Sequence, residues 1–251
     1  MIPTLRQFSG KHRTEAGDER LGVVLAFVAG AINAGGFLAV GTYTSHMTGM
    51  VSSIADDLTA HQWKLALLAV AHIFSFFTGS VASSLLVNWA RRRHLHSEFA
   101  LALMAEAVLL LGFGLMAASG IVGESTGLHL LISWLCFIMG LQNGLITKIS
   151  HADIRTTHMT GIITDLGIET GRLLFGKATG SKTTDGAVHW NRRKVVRLAR
   201  LLSGFVIGAV AGAAVFRIFG FVSVVPFAVL LALLALLPIV DDLTRWLRPK
   251  R

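Results

Sequence analysis

Of 251 residues, 53% are hydrophobic and only 15% are charged, whereas a water-soluble domain carries about a quarter charged residues. With a mean hydropathy of +0.64, the composition excludes an ordinary soluble domain. The formal charge of +9 is carried by clusters at segment ends rather than by one basic face, so no nucleic-acid partner is expected.

In chain order, a polar and basic tail (residues 1–20) leads into the first apolar stretch, Leu21–Val40. Further stretches follow and no small-residue cleavage site is visible, so the first reads as a retained span rather than a removed leader. Gly41–Ser45 has no Lys or Arg, and Met47–Ala55 is a short segment that Asp56 and Asp57 are expected to end. About nine residues of helix reach only about 14 Å, under half of the roughly 30 Å of bilayer hydrocarbon. Leu65–Trp89 and Phe99–Ser119 come next, separated by the triple arginine Arg91–Arg93, and Leu128–Thr147 is the fourth stretch. Cys136, within it, is the only cysteine, which rules out an intrachain disulfide and a Cys-based metal site. Met159–Phe175 contains Asp165, Glu169 and Arg172 and leads into a basic loop at 176–197. Leu198–Phe219, Phe221–Val240 and a basic tail at 241–251 complete the chain.

The six long stretches are apolar all round and close to the roughly 20 residues that a transmembrane helix needs. They predict an all-α, polytopic membrane protein: one transmembrane domain over 21–240 with six full transmembrane helices and two short re-entrant or interfacial helices. Lys11, Arg13 and Arg20, Arg91–Arg93, Arg192–Lys194 and the C-terminal Arg245, Arg248, Lys250 and Arg251 belong on the cytoplasmic side. Both termini are then cytoplasmic, provided that the two short segments do not cross. Each of these fits an amphipathic helix on the membrane surface or a half-helix dipping toward the midplane, and an internal duplication favours the second.

That duplication shows at three places. His46-Met47-Thr48-Gly49 recurs as His158-Met159-Thr160-Gly161; Phe27, Gly30 and Asn33 align with Phe137, Gly140 and Asn143; and Ser75, Gly79 and Ser83 align with Gly204, Gly208 and Gly212, with Phe76 opposite Phe205. Small residues four apart share a helix face and let two backbones approach closely, so this third set reads as helix packing, within the chain or in a homodimer. Repeat 1 covers about 21–120 and repeat 2 about 128–240. Three crossings per repeat is an odd number, so the two would be inverted repeats, a recurrent transporter plan.

A half-helix starting at Met47 or Met159 would turn unpaired N–H groups and its positive dipole end toward the membrane centre. Thr48, Thr160, Gly49, Gly161, His46 and His158 are therefore candidates for binding a small polar or anionic solute, with the mid-span amides Asn33 and Asn143. The competing expectation is ordinary capping of two short helices by Ser45 and Thr157. Glu106, His72 and Asp165 are candidates for proton coupling, because ionisable residues at membrane depth are functional by default; Glu106 and His72 also lie near enough to predicted ends to reach the interface. No HExxH, GxSxG or phosphate-cradling loop occurs, so no enzyme, cofactor or metal is expected.

At Gly30-Ala31-Ile32-Asn33-Ala34-Gly35-Gly36-Phe37-Leu38, Ser45–Gly49, Gly140–Asn143 and Arg155–Gly161, the chain resembles the YoaK family of bacterial membrane proteins, a family of unknown function. The resemblance covers roughly residues 20 to 240 and implies a multi-pass protein of the bacterial inner membrane. Two positions depart from it: the family often carries Asp where this chain has Asn33, and Asn where it has Met50. The first change removes an acid that could couple to a proton or cation. Paired half-helices are similar to the core of nucleobase and sulfate transporters, an architectural analogy. A small secondary transporter is the function expected; a non-transporting membrane protein that binds lipid or a protein partner is the alternative.

Overall fold

A computed structural model describes residues 14–120, 125–150, 154–179 and 190–247. Every regular element among them is helical: α1 Glu15–Val40, α2 Met47–Thr59, α3 Trp63–Arg92, α4 Ala100–Ala118, α5 Ser125–Ile149, α6 Met159–Thr179, α7 Arg192–Phe219, a 3-10 turn Gly220–Ser223, and α8 Val224–Leu247. The charge clusters at 1–13 and 248–251 lie outside the described residues.

Local chemistry sets the helix ends. The Thr14 hydroxyl accepts the Gly17 N–H at 3.1 Å, and Glu15 and Asp18 sit in the first turn of α1, where their charges oppose the positive dipole end. The helix stops at Gly41, whose φ of 75° lies in the left-handed region that glycine tolerates, with its N–H on the Phe37 carbonyl at 2.8 Å. In the same way, Asn191 caps α7 by accepting the Lys194 N–H at 3.0 Å.

Five helical runs are long and apolar enough to cross a membrane: Glu15–Val40, Trp63–Arg92, Ala100–Ala118, Thr126–Ile149 and Arg192–Thr244. The chain is a multi-pass membrane protein. The sequence counts six, and the difference lies in the last run, whose 53 residues would measure about 80 Å as one helix. It turns at Gly220 (φ 59°, ψ −139°) and holds both α7 and α8. Outward faces carry large apolar side chains such as Phe74, Leu85, Leu115, Val210 and Ile218, all more than 60% exposed, as suits contact with lipid. Trp63 and Trp89 project from opposite ends of α3, where interfacial tryptophans belong.

Three expected boundaries are corrected. α2 continues through Asp56 and Asp57 to Thr59, giving 13 residues rather than the nine of Met47–Ala55; exposed carboxylates at a helix end are hydrated, so their unfavourable dipole interaction costs only about 0.3–1 kcal/mol. α6 runs past Phe175 to Thr179, and α7 begins at Arg192, so helix takes both ends of the expected 176–197 loop and residues 180–189 lie outside the described ones. α1 starts within the expected tail, at Glu15.

The most extensive helix pairings are α1 with α7, α3 with α5, and α4 with α8. The first two cross at glycines in matched fashion. A β-carbon on Gly30 would overlap the Phe205 carbonyl and one on Gly208 the Phe27 carbonyl; one on Gly140 would overlap the Phe76 carbonyl and one on Gly79 the Phe137 carbonyl. These four glycines and four phenylalanines are the positions aligned by the duplication. Ser75, Gly79 and Ser83 lie against α5, with the Ser75 hydroxyl donating to the Ser133 carbonyl at 2.6 Å, and Gly204, Gly208 and Gly212 lie against Val23, Phe27 and Ala31 of α1. The small-residue faces are thus consumed within the chain, and a dimer would need other surfaces.

Contacts of charged side chains gather at one end of the bundle. Arg200 meets Glu19 at 2.9 Å, Lys148 donates to the Asn88 side chain at 2.6 Å, and Arg91 meets Glu98 at 3.0 Å. The Asp242 carboxylate accepts the backbone N–H groups of His96 and Ser97 at 2.9 and 2.8 Å, tying the end of α8 to the approach of α4.

Candidate functional site

The two copies of the tetrapeptide take the same local form. His46 is the residue before α2, and its carbonyl accepts the Met50 N–H at 3.1 Å; the His158 carbonyl accepts the Ile162 N–H at the same distance. In both copies the imidazole folds over the glycine three residues on, so that a β-carbon on Gly49 would strike the His46 ring and one on Gly161 the His158 ring. This explains the spacing of His and Gly in the motif: only a residue without a side chain leaves room for the ring at the helix start.

Ser45 and Thr157 do not cap the short helices as expected of them. The Ser45 hydroxyl and N–H donate to the Asn33 side-chain carbonyl at 3.0 and 3.3 Å, and the Thr157 hydroxyl donates to that of Asn143 at 2.8 Å, while the Asn143 amide N–H donates to the Met139 carbonyl at 2.8 Å. Each mid-span asparagine therefore anchors the link that launches a short helix. A buried amide without partners would cost a few kcal/mol, which these bonds offset.

Both helix starts open on one cavity of about 640 Å³. Ser45, His46, Met47 and Thr48 reach it from one side, Arg155, Thr157, His158, Met159 and Thr160 from the other, and Phe76, Ser80, Ser84, Asn143, Gly144 and Thr147 line it from α3 and α5. No Asp or Glu lines it. A second cavity of about 540 Å³ shares Arg155, His158 and Thr160 and continues past Gly161 and Asp165 to Lys194 and Arg197.

Of the residues singled out in the sequence, His46, Thr48, Asn143, His158 and Thr160 meet at the first cavity, and Gly161 and Asp165 line the second. Asn33 and Gly49 stand behind, holding Ser45 and the His46 ring. Asp165 pairs with Lys194 at 3.1 Å, and Glu169, almost fully buried, accepts from Arg172 at 2.9 Å and from the Asn191 N–H at 2.8 Å. Those two acids of α6 hold the start of α7. Glu106 and His72 line neither cavity: Glu106 is buried in α4 with one carboxylate oxygen lacking a hydrogen-bond partner among the described residues, and His72 stacks on His129 with ring centroids 5.7 Å apart. Among the described residues, no cluster of three or more His, Cys, Asp or Glu is disposed to hold a metal ion.

Arg155, Thr147, Ser80 and Ser84 were not singled out by the sequence as site residues. The hydroxyls carry no local signature, since they come from helices far apart in the chain. Arg155 did carry one: it stands three residues before His158, at the position where the first copy has Tyr43.

Comparison with known proteins agrees with this architecture. The family model described as "Protein of unknown function (DUF1275)" matches residues 21–237. The UPF0700 transmembrane protein YoaK of Bacillus subtilis (strain 168) is 26% identical over 156 residues, covering 61% of this chain and 68% of the relative. No solved structure matches the chain. A family match over nearly all of the helical region, together with five long apolar helical runs, places the chain in the DUF1275 family of membrane proteins of unknown function.

Proposed function

We propose that the protein is a small secondary transporter, or permease, of the bacterial inner membrane that moves a small polar or anionic solute through the cavity between α2 and α6. One observation carries this: α2, of 13 residues, and α6, of 21, lie far apart in sequence, share the same four residues at their starts and bring those starts to a single cavity. The Thr48 and Thr160 hydroxyls, the Arg155 guanidinium and the two imidazoles supply donors to the cavity wall, and the absence of lining carboxylates disfavours a cation.

Six crossings and inverted repeats belong to the same proposal. Support comes from the reciprocal glycine contacts, which pair α1 with α7 as they pair α5 with α3, and from the basic residues gathered at one bundle end, which would be cytoplasmic with both termini. Alternating access would then rock one pair of helices against the other around the cavity. Asp165, ion-paired beside the second cavity, is the acid best placed to couple a proton to solute movement; Glu106 and His72 would act only through the packing of α4 and α3.

Flux in liposomes containing the purified chain tests the proposal. A panel of small anions and neutral polar metabolites should include one whose uptake depends on the protein and falls when Gly49 and Gly161 are enlarged; if no solute moves and both glycines tolerate leucine, transport is wrong. The alternative, a non-transporting protein that holds lipid or a protein partner, is favoured by one feature: the outer part of α6 exposes Leu174 and Phe175 at 62% and 57%. Single cysteines along Met47–Thr59, after removal of the buried Cys136, separate the two. Labelling from water along the whole segment supports a surface-lying helix, and protection of its N-terminal turn supports a re-entrant one.

A further inference from the structure

We infer that the cavity takes a small organic carboxylate, its carboxylate held by Arg155 and its apolar skeleton lying against Met47, Phe76 and Met159. This rests on the solute site proposed above and names the class of solute.

The inference comes from what the duplicated halves do not share. Aligning the repeats at Asn33 and Asn143, Phe76 and Phe205, and the two tetrapeptides pairs each cavity residue with a counterpart in the other half. The motif residues, the asparagines and the phenylalanines match. Four polar lining positions do not: Ser80 is opposite Ala209, Ser84 opposite Ala213, Thr147 opposite Phe37 and Arg155 opposite Tyr43. Where the first cavity has Thr147 and Arg155, the other half has Phe37 and Tyr43 stacked on each other with ring centroids 4.5 Å apart. The same framework thus carries polar and cationic side chains in one half and an aromatic pair at the equivalent positions of the other.

Arg155 has no hydrogen-bond or ion-pair partner among the described residues. A guanidinium keeps its charge and offers five donors in a fork that fits a carboxylate at two points. The two imidazoles add donors or acceptors, and Lys148, bonded to the Ser84 carbonyl at 3.2 Å, adds positive charge beside the cavity that would draw anions in. With no lining carboxylate, an ammonium group finds no counter-charge, which argues against amines and for an acid without an amino group. Two methionines and a phenylalanine then suit an alkyl or aryl body better than a fully hydrated inorganic oxyanion.

Calorimetric titration of the full chain in lipid nanodiscs tests this with benzoate, butyrate, phosphate and tetramethylammonium as probes and protein-free nanodiscs as the blank. Benzoate or butyrate should bind, Arg155→Gln should weaken that binding at least tenfold, Arg155→Lys should weaken it less, and phosphate and tetramethylammonium should give no heat above the blank. Arg155 is exposed and unpaired among the described residues, so neither variant should alter the thermal melt. Binding of phosphate in place of the carboxylates overturns the inference while leaving an anion site. Carboxylate binding unaffected by Arg155→Gln overturns it too, as does the absence of binding by either carboxylate. Arg155-dependent carboxylate binding without liposome flux upholds the inference and removes the transport function.

Discussion

Two regions of this molecule are built on opposite principles. Where α1 crosses α7 and α3 crosses α5, backbone lies against backbone: Gly30, Gly208, Gly79 and Gly140 each leave no room for a β-carbon beside a facing carbonyl. Where α2 and α6 begin, hydrogen bonds join the apolar contacts: a serine and a threonine on two asparagine carbonyls and an imidazole over each motif glycine, beside Met50 and Ile162 in the core. The crossings have one arrangement, because a close-packed interface has no room to adjust. The starts of α2 and α6 rest partly on hydrogen bonds, each of modest net strength and able to break and reform, so they have more freedom to adjust than the crossings.

The comparison predicts a graded set of effects. Gly208→Leu or Gly140→Leu should be the most damaging, because the facing backbone itself must move; we expect a loss of about 3 kcal/mol or more, read as failure to recover a monodisperse, cooperatively melting protein. A mild outcome would mean that the crossings are as adaptable as the short helices. Asn143→Ala and Asn33→Ala should follow, each costing about 1–2 kcal/mol for a part-buried acceptor removed, and hydrogen exchange should show the loss confined to residues 157–162 and 45–50 respectively. Spread of exchange into α3 or α5 would show that the asparagines belong to the scaffold.

Gly49→Ala and Gly161→Ala should cost under about 1 kcal/mol, since a histidine ring can rotate away, yet they should displace the imidazoles from the cavity. Solute binding should therefore fall while the melting temperature holds, which separates a placed imidazole from a merely tolerated one. The smallest effect is expected at Gly167 and Gly171 of α6, where a β-carbon would meet nothing within 4 Å. Alanine there should stabilise the helix by roughly 0.5–1 kcal/mol, measurable as a small rise in melting temperature. A fall instead would reveal that this face of α6 rests against something, as the lipid- or partner-binding alternative requires.

Much of the scaffold was legible in the sequence. Apolar runs, basic clusters and the small-residue spacing of Ser75, Gly79, Ser83, Gly204, Gly208 and Gly212 follow from local composition, and local composition governs how a chain enters a bilayer. The site was legible in part. The repeated His-Met-Thr-Gly flagged both helix starts, but what the motif does depends on His46 preceding the helix with its ring turned back over Gly49, a three-dimensional relation. Ser80, Ser84 and Thr147 could not be found, because a hydroxyl on an apolar helix has no meaning until its neighbour helix is known. Asp56 and Asp57 misled about the end of α2 because solvent at an exposed terminus damps the electrostatic penalty that would have stopped the helix.

The exchange of partners across the molecule bears on how the protein is made. α1 pairs chiefly with α7 and α3 with α5, so a ribosome that has delivered residues 21–120 to the membrane has produced helices whose close-packing faces still meet lipid. α1 must wait in the bilayer, Gly30 uncovered, until α7, the last helix but one, emerges, with α8 following after the turn at Gly220–Ser223. Neither half should be stable against cellular proteolysis when expressed by itself, whereas the two halves synthesised as separate chains in one cell should find each other and assemble.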